Sequence, residues 1–445
     1  LIHQYYLLRD VEIRAVGYTF MTTMFNKTIS LPCGAVLSNR FAKAAMTEGL
    51  AGRYGIPGEE LCRLYEIWSD GGAGMLLSGN IMVDRHHLER PGNVVIDRPP
   101  DLEMRQALKR WASSATRKGN HFWAQISHAG RQTQKMVNAK PKAPSAVKLA
   151  LPGGQFGEPV ELNCGEIEDI ISRFGICAAA VKEAGFTGVQ VHAAHGYLLS
   201  QFLSPRSNRR TDEFGGALAN RARPLLAIIE EIRSTVGPDY PISVKLNSAD
   251  FQKGGFAFED SLQVAKWLEA ASVDLIEISG GTYEQPKLLG IDGMEEEENQ
   301  NIPASTLMRE AYFVDFAVAM RKELKIPLMV TGGFRQSIAM KQAIESGGAD
   351  VIGLGRPMCV MTDAPNQLLN GIDELPRYES QLALFPKWLS WLTKLKILRT
   401  VSSFAVQYWY YGQIDSLGRT GKADPDLSVW AATKQTMVMQ KKLTR

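Results

Sequence analysis

The sequence predicts an α/β fold of the (β/α)8 TIM-barrel type with a C-terminal helical extension. Three observations carry this. From about Leu37 onward, short apolar runs alternate with amphipathic stretches, the pattern of βα units around a parallel sheet. Eight runs and eight helical patterns can be counted, which suits a closed barrel. The competing fold, an open doubly wound sheet, usually opens with G-x-G-x-x-G after its first strand, and nothing of that kind follows Arg40–Ala45.

The expected strands are Arg40–Ala45, Met75–Gly79, Phe122–Ser127, Gly188–His192, Ile242–Leu246, Leu275–Ser279, Leu328–Thr331 and Val351–Leu354. Helical patterns lie between them at Glu59–Ser69, Leu102–Arg117, Ile167–Ala184, Arg221–Val236, Ser261–Ala271, Val314–Leu324 and Ile338–Ser346, with a last one near Asn366–Gly371. Gly71-Gly72-Ala73-Gly74 reads as a helix C-cap with an αβ turn, because glycine reaches the left-handed conformation that such caps need. The barrel is expected over residues 24–374. Residues 1–23 read as an appended or disordered tail, since Arg9, Asp10, Glu12 and Arg14 interrupt any signal-like apolar run. Beyond Glu374 an extension over 375–445 has an amphipathic stretch at Leu382–Leu398, an aromatic cluster at Phe404–Tyr411 and a mixed stretch at Asp424–Lys442. It is expected to be helical and to pack on the barrel or on a second subunit of a homo-oligomer.

Composition narrows the function. Lys+Arg of 50 against Asp+Glu of 47 gives a net charge of +3 over 445 residues, with the bases scattered among acids, so nucleic acid is not an expected partner. Hydrophobic residues make up 45% without a bilayer-length apolar run, and a membrane partner is not expected either. Cys33, Cys62, Cys164, Cys177 and Cys359 are widely spaced with no C-x-x-C pair, which points away from a disulfide scaffold, a zinc ribbon or an iron–sulfur cluster and toward a reducing, cytoplasmic location.

In such a barrel, working residues sit at strand C-terminal ends and in the loops that follow. The fourth strand ends in Val191-His192-Ala193-Ala194-His195-Gly196-Tyr197, delivering two imidazoles and a phenol to the rim. Catalysis, structural histidines or a two-histidine metal site all fit that spacing. No Asp, Glu or Cys of suitable spacing accompanies the pair. Lys245 ends the fifth strand and must meet either an anion or a carboxylate, so it is a ligand-facing cation or half of an ion pair. Thr331-Gly332-Gly333-Phe334 and Gly353-Leu354-Gly355-Arg356-Pro357 close the last two strands, where barrels bind phosphate through backbone N–H groups and an arginine fork. Gln125 at the third strand offers donor and acceptor together, while His128 and Arg131 beside it read as turn or core residues. Ala44-Ala45-Met46-Thr47 ends the first strand, and Met46 there suits core packing as well as a ligand wall.

The segment from His192 through His195 and Tyr197 to Gly216 resembles the old yellow enzyme family of FMN-dependent ene-reductases. So do Asn39-Arg40 through Met46, His128-Ala-Gly-Arg131, Asn220-Arg-Ala-Arg223, Ser279-Gly-Gly281, Thr331-Gly-Gly333 and Gly353–Pro357, in family order. The paired-histidine form is similar to the thermophilic-like branch and its fungal relatives. The resemblance implies non-covalent FMN, with Ala44, Ala45, Met46, Thr47, Asn80, Gln125 and Lys245 around its ring system and Gly332, Gly333, Gly355 and Arg356 at its phosphate. It implies that His192 and His195 bind a carbonyl or nitro oxygen, that Tyr197 donates a proton, and that NAD(P)H supplies the hydride that reaches the β-carbon of an activated alkene. Lys245 departs from the family's usual arginine, and Glu48-Gly49 replaces an aromatic, which predicts an open wall in the substrate pocket. The segment Lys135–Asn163 is expected to cap the site. Alternatives on the same fold are a redox-neutral flavin isomerase and a dienoyl-CoA-reductase-like enzyme. A flavin-binding scaffold without turnover comes from another class.

Overall fold

The computed structural model describes residues 24–52, 54–151, 154–284, 313–385 and 396–444. The expected tail 1–23, and residues 386–395 of the stretch Leu382–Leu398, lie outside the described residues. Eight parallel strands close on one another: β1 (Phe41–Lys43), β2 (Met75–Met82), β3 (His121–Ser127), β4 (Gly188–Ala193), β5 (Ile242–Asn247), β6 (Leu275–Ser279), β7 (Leu328–Thr331) and β8 (Val351–Leu354). Closure is direct, because β1 pairs with β8 on one side and with β2 on the other. Helices α1 (Glu59–Asp70), α2 (Leu102–Ala115), α3 (Cys164–Ala184), α4 (Leu218–Val236), α5 (Phe258–Ala270), α6 (Val314–Arg321), α7 (Ser337–Glu345) and α8 (Ala364–Leu369) follow the strands in turn. The expected (β/α)8 barrel is the fold observed.

Local chemistry explains several bounds. The α3 helix starts at Asn163, whose side chain accepts from Glu166 N while the Glu166 carboxylate accepts from Asn163 N, and it ends at Gly185 in a left-handed turn. Asp101 caps α2 by accepting from Met104 N. Gly71 ends α1 as the sequence suggests, and Gly72 takes φ +86° in the turn to β2. Two strands differ from expectation by more than one residue. The ladder of β1 stops at Lys43, after which Ala44 N donates to Leu354 O and the chain runs irregularly over the barrel rim. The β2 strand continues to Met82 through an irregularity between Leu77 and Asn80, which turns Asn80 toward the barrel mouth.

Buried side chains fill the barrel's lower half. Ala42, Ala44, Met75, Leu77, Trp123, Leu275, Met329 and Val351 pack together, closed by Ile29, Leu31 and Leu37 of a small antiparallel hairpin (Ile29–Ser30 with Val36–Leu37) that the sequence reading missed. The larger apolar layer lies between strands and helices. The extension forms α9 (Lys396–Thr420) and α10 (Val429–Leu443). Helix α9 packs on α1 and on the turn Arg356–Cys359. Trp409 is buried there and donates to Leu427 O at 2.7 Å, while Arg63 of α1 donates to Gly418 O at 2.6 Å. Among the described residues, no helix is long and apolar enough to cross a membrane.

Candidate active site

A cavity of about 800 Å³ opens at the C-terminal ends of the strands. Ala44, Ala45, Met46, Thr47, Asn80, Gln125, His192, His195, Tyr197, Lys245, Gly332, Gly333, Gly355 and Arg356, which belong to separate segments of the sequence, all line it.

The β4 end is fixed by backbone geometry. His192 Nδ1 accepts from Ala194 N at 3.2 Å, so the proton of its neutral ring sits on Nε2. His195 takes φ +59°, unusual for a non-glycine residue; its N–H donates to Asn247 Oδ1 at 3.1 Å and its ring Nε2 lies 2.7 Å from Ser279 Oγ. Gly196 follows at φ +77°, where a Cβ would come within 2.6 Å of Gln132 Oε1. Tyr197 stands at the N-terminus of a short helix (Leu198–Leu203), edge-on to His192 with ring centroids 4.7 Å apart, and its Oη lies 2.8 Å from Tyr283 Oη. Burial, with help from the Lys245 charge, holds both imidazoles well below the usual histidine range, so both rings are neutral. Burial and the Glu89 carboxylate push the Tyr197 phenol well above its ordinary value.

Lys245 resolves the two roles weighed for it. Its Nζ lies 2.9 Å from Glu277 Oε1, and it also lines the cavity. Glu277 Oε2 accepts from Gln190 Nε2 at 2.9 Å, and Gln190 Oε1 accepts from Gln125 Nε2 at 2.7 Å, which leaves the other amide atom of Gln125 for the cavity. Glu277 and Gln190 are missed by the sequence reading, yet Glu277 pairs in register with Lys245, as does His192 from the other side.

At the opposite end, Gly332 and Gly333 take φ +133° and +81°, and open space lies where Gly355 would carry a Cβ. Arg356 lies 3.8 Å from Glu379 Oε1, which also accepts from Arg335 Nη2 at 2.8 Å, and Tyr410 of α9 donates to Glu379 Oε2 at 3.0 Å. Arg335, Glu379 and Tyr410 all line the cavity and were not anticipated.

The open wall expected at Glu48-Gly49 is not there. The Glu48 carboxylate turns away to accept from Gly79 N at 2.7 Å and from the Tyr65 phenol. A Cβ at Gly49 would meet Arg90 Nη2 at 2.6 Å, and the Arg90 guanidinium stacks on the Tyr411 ring of α9 at 3.8 Å. Gly49 thus admits an arginine and, through it, a tyrosine that rebuild the wall from distant sequence. Gln134, Leu151, Gln155 and Phe156, most of them in the expected capping segment, line the cavity as well.

His128 and Arg131 do not line the cavity. Arg131 donates to Glu284 Oε2 at 2.8 Å, and His128 is buried beside Asp84 and His87, a trio spaced as metal ligands would be. The hydrogen bonds oppose a metal there. His87 Nε2 accepts from Lys142 N at 2.8 Å and His128 Nδ1 from Gly130 N at 3.1 Å, so each neutral ring carries its proton on the nitrogen facing Asp84. Arg173, 3.3 Å from Asp84 Oδ2, already supplies the carboxylate with a positive partner.

Residues 32–374 match the NADH:flavin oxidoreductase / NADH oxidase family. The chain belongs to that family. Old yellow enzyme is a member, and the chain is an NAD(P)H-dependent flavin oxidoreductase whose cofactor is FMN. It is 38% identical over 350 residues to the NADH-dependent flavin oxidoreductase iliE of Neonectria sp. (strain DH2), covering 75% of this chain but 45% of that protein. It is 33% identical over 413 residues to the NADH-dependent flavin oxidoreductase iccE of Talaromyces variabilis, covering 89% and 98%. Among solved structures, a 2-naphthoyl-CoA reductase complex aligns with TM-score 0.70 at 26% identity, over 79% of this chain and 52% of that one. The old yellow enzyme homologue from Zymomonas mobilis shares the fold at TM-score 0.65 and 24% identity, over 82% and 97%.

The cavity suits FMN on its own chemistry. Asn80 Oδ1 and Thr331 Oγ1 are buried at its wall without hydrogen-bond partners, and such atoms call for a polar ligand. The cationic end with left-handed glycines suits a phosphate, and the amide and ammonium groups of Gln125 and Lys245 suit the polar edge of a flavin.

Proposed function

We propose that this oxidoreductase reduces activated alkenes such as enones, enals, nitroalkenes and maleimide-like compounds. The observation that carries the reading is the convergence of two neutral imidazoles and a protonated phenol on one cavity that the residues suited to the flavin also line. FMN, when bound, would supply the redox chemistry that links hydride from NAD(P)H to the β-carbon of the alkene. Ala44 to Thr47, Asn80, Gln125 and Lys245 would hold the ring system, and Gly332, Gly333, Gly355 and Arg356 the phosphate. His192 and His195 hydrogen-bond the carbonyl or nitro oxygen, where negative charge grows as hydride arrives. Because burial keeps both rings neutral, this role needs no protonation change near neutral pH. Tyr197 gives a proton to the α-carbon. The tyrosines of α9 and the residues of the capping segment exclude water and give the pocket its aromatic wall.

The test is an anaerobic titration of the FMN-loaded protein with NADH and NADPH, followed by mixing with 2-cyclohexenone. His192→Ala and His195→Ala are expected to retain FMN but to reoxidise with the enone roughly a hundredfold more slowly, the usual loss for one oxyanion donor. Normal turnover by both variants, or no reoxidation of the native protein by any alkene, overturns the reading.

A further inference from the structure

Tyr283 has no part in the chemistry described so far. It follows Ser279-Gly280-Gly281-Thr282 beyond β6, and its Oη lies 2.8 Å from Tyr197 Oη at the cavity wall. Its backbone is held on both sides. Thr282 forms a bridge with His195, Gly281 O accepts from Asn247 Nδ2 at 3.0 Å, and the Glu284 carboxylate accepts from Arg131 Nη2 at 2.8 Å and from Ala150 N at 2.8 Å. The ring is therefore carried by anchored chain, edge-on to Tyr197 with centroids 5.9 Å apart.

A phenol that gives its proton to carbon leaves a phenolate. Here that anion would form in a buried pocket, near the Glu89 carboxyl, where burial already pushes the Tyr197 phenol well above its ordinary value. Hydrogen bonds from Tyr283 and Asn80 oppose that push. Once Tyr197 is a phenolate it has no proton to donate, so a hydrogen bond between the two oxygens requires Tyr283 to be the donor.

Resting on the alkene-reducing reading above, we propose that Tyr283 is a positioning residue that acts through Tyr197. It stabilises the Tyr197 phenolate as the proton leaves and then returns a proton to it. The balance is simple. The alkene gains a hydride at the β-carbon and a proton at the α-carbon. The O–H bond of Tyr197 breaks as the C–H bond forms, the proton of Tyr283 passes to Tyr197, and solvent reprotonates Tyr283 after product leaves. No further oxidant or reductant is needed.

The experiment compares native FMN-loaded protein with Tyr283→Phe, Tyr197→Phe and the double variant. Stopped-flow reoxidation by 2-cyclohexenone and by a nitroalkene is referenced to the rate of flavin reduction by NAD(P)H in the same variant. A hydrogen bond to a developing charge is worth enough that Tyr283→Phe should slow enone reduction roughly tenfold or more. Nitroalkene reoxidation should slow much less, because a nitronate is stable enough to take its proton from solvent. The double variant should be no slower than Tyr197→Phe alone. Separately, without substrate, the 13C signal of ring-labelled Tyr197 should titrate at higher pH in Tyr283→Phe than in native protein. Equal slowing of both acceptors, a double variant slower than Tyr197→Phe, or an unmoved Tyr197 titration each overturns the proposal. If native protein reduces no alkene, the functional reading fails instead. If Tyr197→Phe slows enone reduction and Tyr283→Phe does not, this inference fails alone.

Discussion

Among single residues, Lys43 shows how tightly the first strand is tied to its helix. It is fully buried on β1, donating to Leu77 O at 2.6 Å and to Tyr65 Oη at 3.2 Å, with Nζ 4.3 Å over the Trp68 ring. Burial lowers its pKa from 10.5 to about 8. Between these two values the unfolded chain holds a proton that the native state has released, so unfolding becomes harder as pH rises from about 8 to 10.5. Denaturant titrations of native protein and Lys43→Met at pH 7.5 and pH 10 should show the native protein gaining on the variant by roughly 3 kcal/mol at most. A constant difference across that interval would mean that the ammonium stays charged in the fold.

Among the elements, helix α9 differs most from what its position in the chain suggests. Its Tyr408, Tyr410 and Tyr411 line the cavity together with barrel residues and with Trp430, Thr433 and Met437 of α10, and two side-chain contacts tie these tyrosines down: Arg90 stacked on Tyr411 and Tyr410 bonded to Glu379. A buried cation–π contact is worth about 2 kcal/mol. Tyr411→Leu should therefore raise amide hydrogen exchange across residues 405–414 while leaving β3 to β5 protected. Unchanged exchange in that window would show that packing on α1 and the Tyr410–Glu379 bond secure the helix without the Arg90 stack. The same substitution reopens the wall beside Gly49, so it is expected to loosen binding of bulky alkenes more than of small ones, measured as a change in KM.

At the scale of the whole molecule, the cavity joins parts of the chain that share no local sequence. Arg335 and Arg356 end different βα units, Glu379 lies past the barrel and Tyr410 belongs to α9, yet all four meet at the proposed phosphate end. A ligand seated there binds the folded state alone, so FMN should stabilise folding by about 2.7 kcal/mol at a free concentration a hundred times its Kd. Thermal unfolding with and without FMN measures this. Arg356→Ala should abolish most of the FMN-dependent rise in Tm, because a charge-assisted fork to phosphate is lost. An unchanged rise would place the phosphate elsewhere.

What the sequence determined by itself was the fold and a set of residues that line the candidate site. Alternating patterns place eight strands within a few residues, since burial on both faces demands continuous apolar runs and amphipathic helices must cover them. Strand ends are where a barrel puts its chemistry, so His192, His195, Tyr197, Lys245 and Arg356 were legible one at a time, and all face one cavity. Tertiary structure alone decided their partners. Glu277 is an unremarkable strand acid until the barrel sets it in register with Lys245. Tyr283 is one tyrosine in a loop until closure brings its oxygen to Tyr197, and the wall at Gly49 is empty until Arg90 and Tyr411 arrive from 41 and 362 residues away. Periodicity reports which face of an element is buried, because that is a local demand of the backbone. It carries no information about which distant side chain fills a gap, since that depends on how closed elements stack in space.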